Sequence, residues 1–454
     1  MGSIGKTITL VIVIVFLTSL VTVQSVTVKA QPQTIVVPDN YPTISAAIGN
    51  ATKGDTILVR SGTYQEHTLI INKALTIIGE GTSNTIITNI DPNVWNPETE
   101  ILPPVTYAIN ITANNVKITG LTITQGTVAI YANANGTQII GTNIAYGEIM
   151  LYGSNQTFAY NTASGPTSDV ICAGSYNCLL NNDVAASVER GIHSTGSFDV
   201  IYGNNLTATT VSAESLVVDG NGNLVAKNNV INSGLDISGT SNSISGNVIN
   251  YGTIAVLGNY NTFFANNLTE LGMGNLNMDA SYNTFYDNNF VNNAYFEVIV
   301  WAAVKGPDFF DNGKDGNYWS NYNGTPSNND GIGDTPYLMY TNDSRNYANA
   351  TAAENIANLV FIDNYPLITP FDISSIQIPL PAWANTQLQN SIPEPSFPPQ
   401  NLVSSTNSAT PTASPSQSPA QTPNVSEFPL LVILPLFASM LFIVAKHRHQ
   451  RVLT

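Results

Sequence analysis

The segment Asn261-Thr262-Phe263-Phe264-Ala265-Asn266-Asn267-Leu268 decides the fold. Two short stretches, each with apolar side chains, flank an Asn-containing turn. They are too short for helices and show no heptads, so they read as strand, turn, strand. The same frame recurs with an apolar residue at +2, Asn at +5 or +6 and an apolar residue at +7. Nine frames start at 114, 137, 155, 177, 199, 223, 242, 261 and 283, 18 to 24 residues apart and about 21 on average. Their apolar pairs are Val116/Leu121, Ile139/Ile144, Leu179/Val184, Ile201/Leu206, Val225/Val230, Ile244/Ile249, Phe263/Leu268 and Phe285/Phe290, and one frame breaks the rule with Thr157/Thr162. Asn falls at +5 or +6 in eight of the nine, including Asn182, Asn204, Asn228, Asn247, Asn266 and Asn288. With 56 Asn in 454 residues, about two would be expected by chance.

Asn tolerates left-handed backbone angles and hydrogen-bonds its own turn. One Asn per coil at the same corner lets the carboxamides stack in a ladder, while the +2 and +7 residues form internal columns. The architecture that satisfies both is an all-β parallel β-helix, right-handed by the crossover preference. Nine to twelve coils at about 4.8 Å each make a rod roughly 45–60 Å long.

Rod ends expose strand edges and need covers. Pro42-Thr43-Ile44-Ser45-Ala46-Ala47-Ile48 reads as a short capping helix. Gly54 to Val59, Gly62-Thr63-Tyr64 and Leu75 to Gly79 read as the first coils. This opening resembles the pectate-lyase-like β-helix superfamily. After the Asn-rich coils come Asp315-Gly316-Asn317-Tyr318-Trp319-Ser320-Asn321-Tyr322, then Asp330-Gly331-Ile332-Gly333-Asp334-Thr335-Pro336-Tyr337, then Asp363-Asn364-Tyr365-Pro366-Leu367. These segments resemble the NosD-like β-helix family, over roughly residues 40 to 370. The resemblance implies an exported protein and a periplasmic copper-binding accessory role.

The composition places the chain. It carries 30 acidic and 14 basic residues, a net charge of −16, and five of the basic residues (Lys6, Lys29, Lys446, Arg448, Arg451) sit at the two ends. A body this acidic repels phosphate backbones, so nucleic-acid binding is excluded. Lys6, the apolar run Ile8 to Val23 and the stretch to Ala30 read as a signal peptide, residues 1–30, cleaved after Ser25 or Ala30 or retained as an anchor. The β-helix occupies 31–310 and the NosD-like cap 311–375. A Pro/Ser/Thr-rich linker, disordered because it cannot bury enough apolar area, follows at 376–425. Residues 426–446 read as a single transmembrane helix and 447–454 as a basic cytoplasmic tail, leaving the bulk of the chain outside. Ser426-Glu427-Phe428-Pro429 resembles the C-terminal anchor signals of archaeal surface proteins. Ten Asn-x-Ser/Thr sequons, among them Asn50, Asn135 and Asn155, offer glycan attachment sites in an exported chain.

Several constellations could carry chemistry. Copper wants His, Cys or Met clusters, but His67 and His193 lie far apart, His447 and His449 fall in the tail, and Met273 and Met278 are a weak match; copper is disfavoured. Asn328, Asp330 and Asp334 around Gly331 and Gly333 form an oxygen-rich loop that reads as a calcium site or as a capping Asx turn. Cys172 and Cys178, six apart in an exported chain, read as a disulfide, with two buried thiols as the alternative. Uronate lyases need cations, and between 114 and 300 only Lys117, Arg190 and Lys227 are present. Hydrolysis needs two facing carboxylates, and Glu189, Asp219 and Asp236 are the catalytic candidates, although Asp219 and Asp236 lie at different offsets in their frames. Twenty Tyr, four Trp and many amides suit neutral sugars, whose faces stack on rings. The expected function is an exported, membrane-anchored surface module that binds glycans or is structural. The alternatives are a polysaccharide hydrolase, lyase or epimerase, and a copper accessory.

Overall fold

Three parallel sheets of 12, 12 and 11 strands wrap one interior, and the chain visits them in turn for about eleven coils. The computed structural model describes residues 31–90, 105–165, 169–186, 191–208, 213–271, 276–278, 280–293, 298–299, 306–341 and 358–389. The first sheet runs from Thr34–Val37 to Thr284–Tyr286, the second from Gly62–Glu66 to Tyr318–Trp319, and the third from Leu69–Ile71 to Val298–Ile299. The fold is an all-β parallel β-solenoid.

Strand register corrects two frames. Ile118, Ile139, Phe158, Leu179, Ile201, Val225, Ile244, Phe263 and Phe285 pair in one buried row of the first sheet. Ile123, Ile144, Ala163, Val184, Leu206, Val230, Ile249, Leu268 and Phe290 do so in the second. The frames placed at 114 and 155 therefore begin at 116 and 156, and the exceptional Thr157/Thr162 pair becomes Phe158/Ala163. A one-residue slip turns every side chain of a strand to the other face, which is why that frame looked polar.

The third sheet has no place in the sequence frame. It supplies two inward residues per coil, such as Ile149/Leu151, Leu216/Val218 and Ile254/Val256. Their distance from the frame start varies: 12 residues for Ile149, 14 for Val170, 17 for Leu216. Their distance to the next frame start is always seven, as in Ile149 to Gln156 and Leu216 to Asn223. From the frame start at 116 to that at 283, all variation in coil length thus falls between the second and third sheets.

Two corners repeat with little change. The residue before each frame start is left-handed in nine coils (Asn115, Gly136, Asn155, Tyr176, Phe198, Gly222, Ser241, Tyr260 and Tyr282), with φ between 58° and 69°. The +4 residues Gly120, Gly141, Tyr160, Asn181, Gly203, Lys227, Gly246, Ala265 and Asp287 are left-handed as well. Behind the second of these corners, Asn161, Asn182, Asn204, Asn228, Asn247, Asn266, Asn288 and Asn317 form a buried ladder. Each Nδ2 from Asn161 to Asn288 donates to the Oδ1 of the next coil at 2.8–3.1 Å. Each Oδ1 from Asn182 onward also accepts the backbone N–H of the ladder residue one coil back, and each Nδ2 donates to a main-chain carbonyl there, as from Asn228 to Ile201. A second ladder lies at the frame start itself: Gln156, Asn177, Asp199, Asn223, Asn242, Asn261, Asn283 and Asp308 each accept the preceding coil's N–H.

Both rod ends are closed. Helix α1 (Ile44–Asn50) carries Thr43 as its N-cap. Glu66 accepts the Ile44 N–H at its positive end, while Lys73 Nζ donates to the carbonyls of Ile48, Gly49 and Ala51 at its negative end. At the other end Phe263, Phe285 and Phe310 stack in series, as do Phe290, Trp319 and Tyr337. Asp363 terminates the Asn ladder, accepting the Asn317 N–H and the Trp319 indole at 2.8 Å each.

The linker expectation for 376–425 is corrected at its start. The chain after the cap bonds Asn289 through Phe371, passes Lys227 at Ile376, and ends in α2 (Ala382–Gln389). Leu380 just before this helix and Trp383, Ala384 and Leu388 within it pack on Ala159, Cys178, Leu180 and Val200, an apolar outer face of the first sheet that offsets the cost of ordering the segment. Among the described residues no helix is long and apolar enough to cross a membrane. The expected signal 1–30, the rest of the linker, the span 426–446 and the tail lie outside the described residues.

Replacing Asn228 by Ala removes the acceptor of the buried Asn204 N–H and of one Asn204 Nδ2 hydrogen, and a donor to the Ile201 carbonyl. We expect a loss of about 2–4 kcal/mol in urea unfolding, against under about 1 kcal/mol for Ala at exposed Asn114.

Candidate functional site

Alternation along the third sheet points Ile192 and Ser194 inward and His193 outward. Asp219, just past the strand of the next coil, reaches back so that its Oδ2 lies 2.7 Å from His193 Nε2. Asp236 shares the register row of His193 and Val217, two coils from the histidine or about 10 Å. Its Oδ1 accepts Ser238 Oγ. The structure thus joins Asp219 to His193 and leaves the Asp219 and Asp236 carboxylates on a diagonal, because their side chains belong to different rows. Glu189 lies outside the described residues. Farther along the same face Tyr107, Tyr131 and Tyr152 form a tilted series at 5.1 and 5.7 Å.

The metal candidates do not converge. Met278 is buried in the core column, Met273 is outside the described residues, and His193 faces out, so these side chains do not fit copper. Asp330 accepts the Ile332 N–H in an Asx turn, Asp334 accepts Ser327 Oγ, and Asn328 is exposed. Among the described residues no three His, Cys, Asp or Glu side chains group as metal ligands. The disulfide expectation is corrected: Cys172 and Cys178 are free, buried thiols. Cys172 points into the core, whereas Cys178 points outward beneath α2, so opposite faces of the wall separate them. Burial holds the Cys172 thiol well above its ordinary value and pushes that of Cys178 up to about 12.

The surface feature that sequence reading missed is at the corner between the third and first sheets. Nine aromatic residues are exposed among the described residues, and six of them (Tyr160, Tyr176, Phe198, Tyr251, Tyr260, Tyr282) sit in left-handed corner positions. Four share one column. Tyr176 and Phe198 stack at 5.4 Å, and Tyr260 and Tyr282 at 5.1 Å with planes 5° apart. α2 borders the first pair, setting Trp383 edge-on to Tyr176. The second pair is 59% and 40% exposed. A bulky side chain in this conformation costs about 1–2 kcal/mol, and exposure recovers little of that. The available signal was an aromatic directly before Asn177, Asp199, Asn261 and Asn283.

No family model matches the chain, and no curated protein does. Solved structures similar to it include a PL6 alginate lyase with a trisaccharide, 11% identical over 58% of this chain and 72% of that one, TM-score 0.42. A pectin methylesterase with a hexasaccharide is 15% identical over 46% and 81%, TM-score 0.32. The A-module of a mannuronan C-5 epimerase of Azotobacter vinelandii is 11% identical over 59% and 92%, TM-score 0.33. The fold rests on the strand pairing itself rather than on these likenesses.

Burial pushes the carboxyls of Asp199, Asp308 and Asp363 up to about 6. Asp308 Oδ2 is buried with no hydrogen-bond partner. These groups favour the protonated form when folded, so their contribution to stability grows as pH falls from about 6 towards the unfolded value near 4 and is lost as pH rises through 6. Asp39, held low by Arg60, acts oppositely only below that window. The thermal midpoint should therefore be higher at pH 5 than at pH 8. Asp308→Asn should raise the midpoint at pH 8 and flatten the profile; an unchanged profile would show that Asp308 stays ionised without cost.

Proposed function

We propose that this chain is an exported, membrane-tethered surface rod that binds a neutral polysaccharide along its aromatic corner column. The observation that carries the reading is the column itself: large rings held outward, in a backbone conformation they disfavour, with Tyr260 and Tyr282 parallel, stacked and exposed. Neither core packing nor backbone preference accounts for rings at these positions, and exposed ring pairs whose edges and outer faces reach solvent offer apolar surface to sugar faces. The net charge of −16 supports an uncharged ligand, since a uronate polymer would be repelled. Export and tethering are supported by the basic and apolar start of the chain and by the apolar stretch followed by Lys446, Arg448 and Arg451.

A second reading, a polysaccharide-modifying enzyme, is favoured by the His193–Asp219 contact at 2.7 Å, which can orient an imidazole for proton transfer. One assay separates the two. The full-length protein is tested for retention on amylose, mannan and β-1,3-glucan, with polygalacturonate and alginate as charged counterparts, and each polymer is checked for new chain ends. We expect retention on a neutral polymer, no new ends, and a loss of about tenfold or more in affinity for Tyr260→Ala/Tyr282→Ala. Preference for polyuronates, or unchanged binding by the double variant, would overturn the binding reading. New ends that vanish in His193→Ala would establish the enzyme.

A further inference from the structure

The aromatic column is interrupted. From Tyr176 onward it reads Tyr176, Phe198, Gly222, Ser241, Tyr260, Tyr282, two ring pairs separated by two coils of small residues. Resting on the neutral-glycan reading above, we propose that this interruption is a saccharide-binding subsite, a slot with Phe198 and Tyr260 as walls that takes one or two uncharged pyranose rings.

Phe198 and Tyr260 are three coils apart, about 14 Å at the parallel-sheet spacing. Phe198 leans across the first of these steps: a Cβ on Gly222 would lie 2.9 Å from its Cε1 and 3.0 Å from its Cδ1. Gly222, with φ of 67°, is thus the residue that makes room for the wall. Beyond it, at the level of the exposed Ser241, no large side chain rises from the column. The opening is on the order of 10 Å, enough for a saccharide ring to contact each wall at about 3.5–4 Å.

The residues just before the corner supply polar contacts. Asn221 Oδ1 accepts Thr240 N at 2.7 Å and Thr240 Oγ1 at 2.9 Å, and Asn259 Oδ1 accepts Ser281 N at 2.8 Å. With their oxygens fixed, both carboxamides are oriented before a ligand arrives, and their Nδ2 groups suit sugar hydroxyl oxygens. No Lys or Arg occurs in 219–222, 238–242 or 257–260, and exposed Asp219 lies two residues before Asn221. This wall chemistry rejects uronates and phosphosugars and accepts neutral hexose units.

The test fills the slot without removing either wall. Ser241→Tyr places a ring at a corner whose φ of 58° matches the 60° of Tyr260, so the fold already tolerates an aromatic in that conformation. Ser241→Asn keeps the slot open in a residue suited to the backbone. Both full-length variants are compared with the unaltered protein on amylose, mannan and β-1,3-glucan, with thermal midpoints as the folding control. We expect Ser241→Tyr to lose about tenfold or more in affinity at an unchanged midpoint and Ser241→Asn to bind normally. Unchanged or stronger binding by Ser241→Tyr would overturn the slot while leaving the aromatic column as the binding surface. Equal loss in both variants would assign the effect to the serine itself and also overturn it. If the unaltered protein is retained by none of the polymers, the binding reading fails first, and the slot with it.

Discussion

Everything in this molecule depends on a buried carboxamide finding all its partners one coil away. An Asn behind a left-handed corner closes the chain direction, accepts the neighbouring N–H and side-chain amide, and donates in two directions, so the corner can sit inside a protein with no water. Because each bond reaches the adjacent coil, the ladder fixes coil spacing and strand register together. The apolar columns then follow, since a fixed corner fixes which residues of the flanking strands face inward. From the frame start at 116 to that at 283, coil length varies only between the second and third sheets, away from both ladders.

The same device has a cost where its chemistry is altered. Aspartate replaces asparagine at Asp199 and Asp308, and a carboxylate accepts the neighbouring N–H but cannot donate. Each substitution trades a neutral amide for a buried titratable group, and the rod acquires a preference for mildly acidic conditions from two positions of a structural ladder. At the far end Asp363 terminates a row of donors with an oxygen that needs none of its own, and burial raises its carboxyl in the same way.

The first and second sheets were legible in the sequence because their spacing from the Asn corner never changes. Phe263 and Leu268 mark their inward positions directly. The third sheet was hidden for the complementary reason: Ile149, Val170 and Leu216 stand at 12, 14 and 17 residues from their frame starts, and only counting back from the following frame reveals the constant seven. The second ladder escaped notice because Asn177, Asn223, Asn242, Asn261 and Asn283 had served as the origin of the frame. Cys172 and Cys178 looked like partners because six residues separate them, but a strand alternates faces and a corner intervenes. The aromatic column was illegible because left-handed positions ordinarily hold Gly or Asn, and nothing in composition says that Tyr176, Phe198, Tyr260 and Tyr282 share a corner.

That column is where structure and function separate. A surface ring in a left-handed position contributes little to folding, so its presence points to what lies outside the chain. Hydroxyl-radical footprinting of the full-length protein reads every exposed aromatic side chain at once, with and without the neutral polymer. The account predicts protection of Phe198, Tyr260 and Tyr282, with Tyr146 and Tyr365 unchanged. Protection confined to the face bearing His193 and Tyr131, or uniform across all exposed rings, would contradict it.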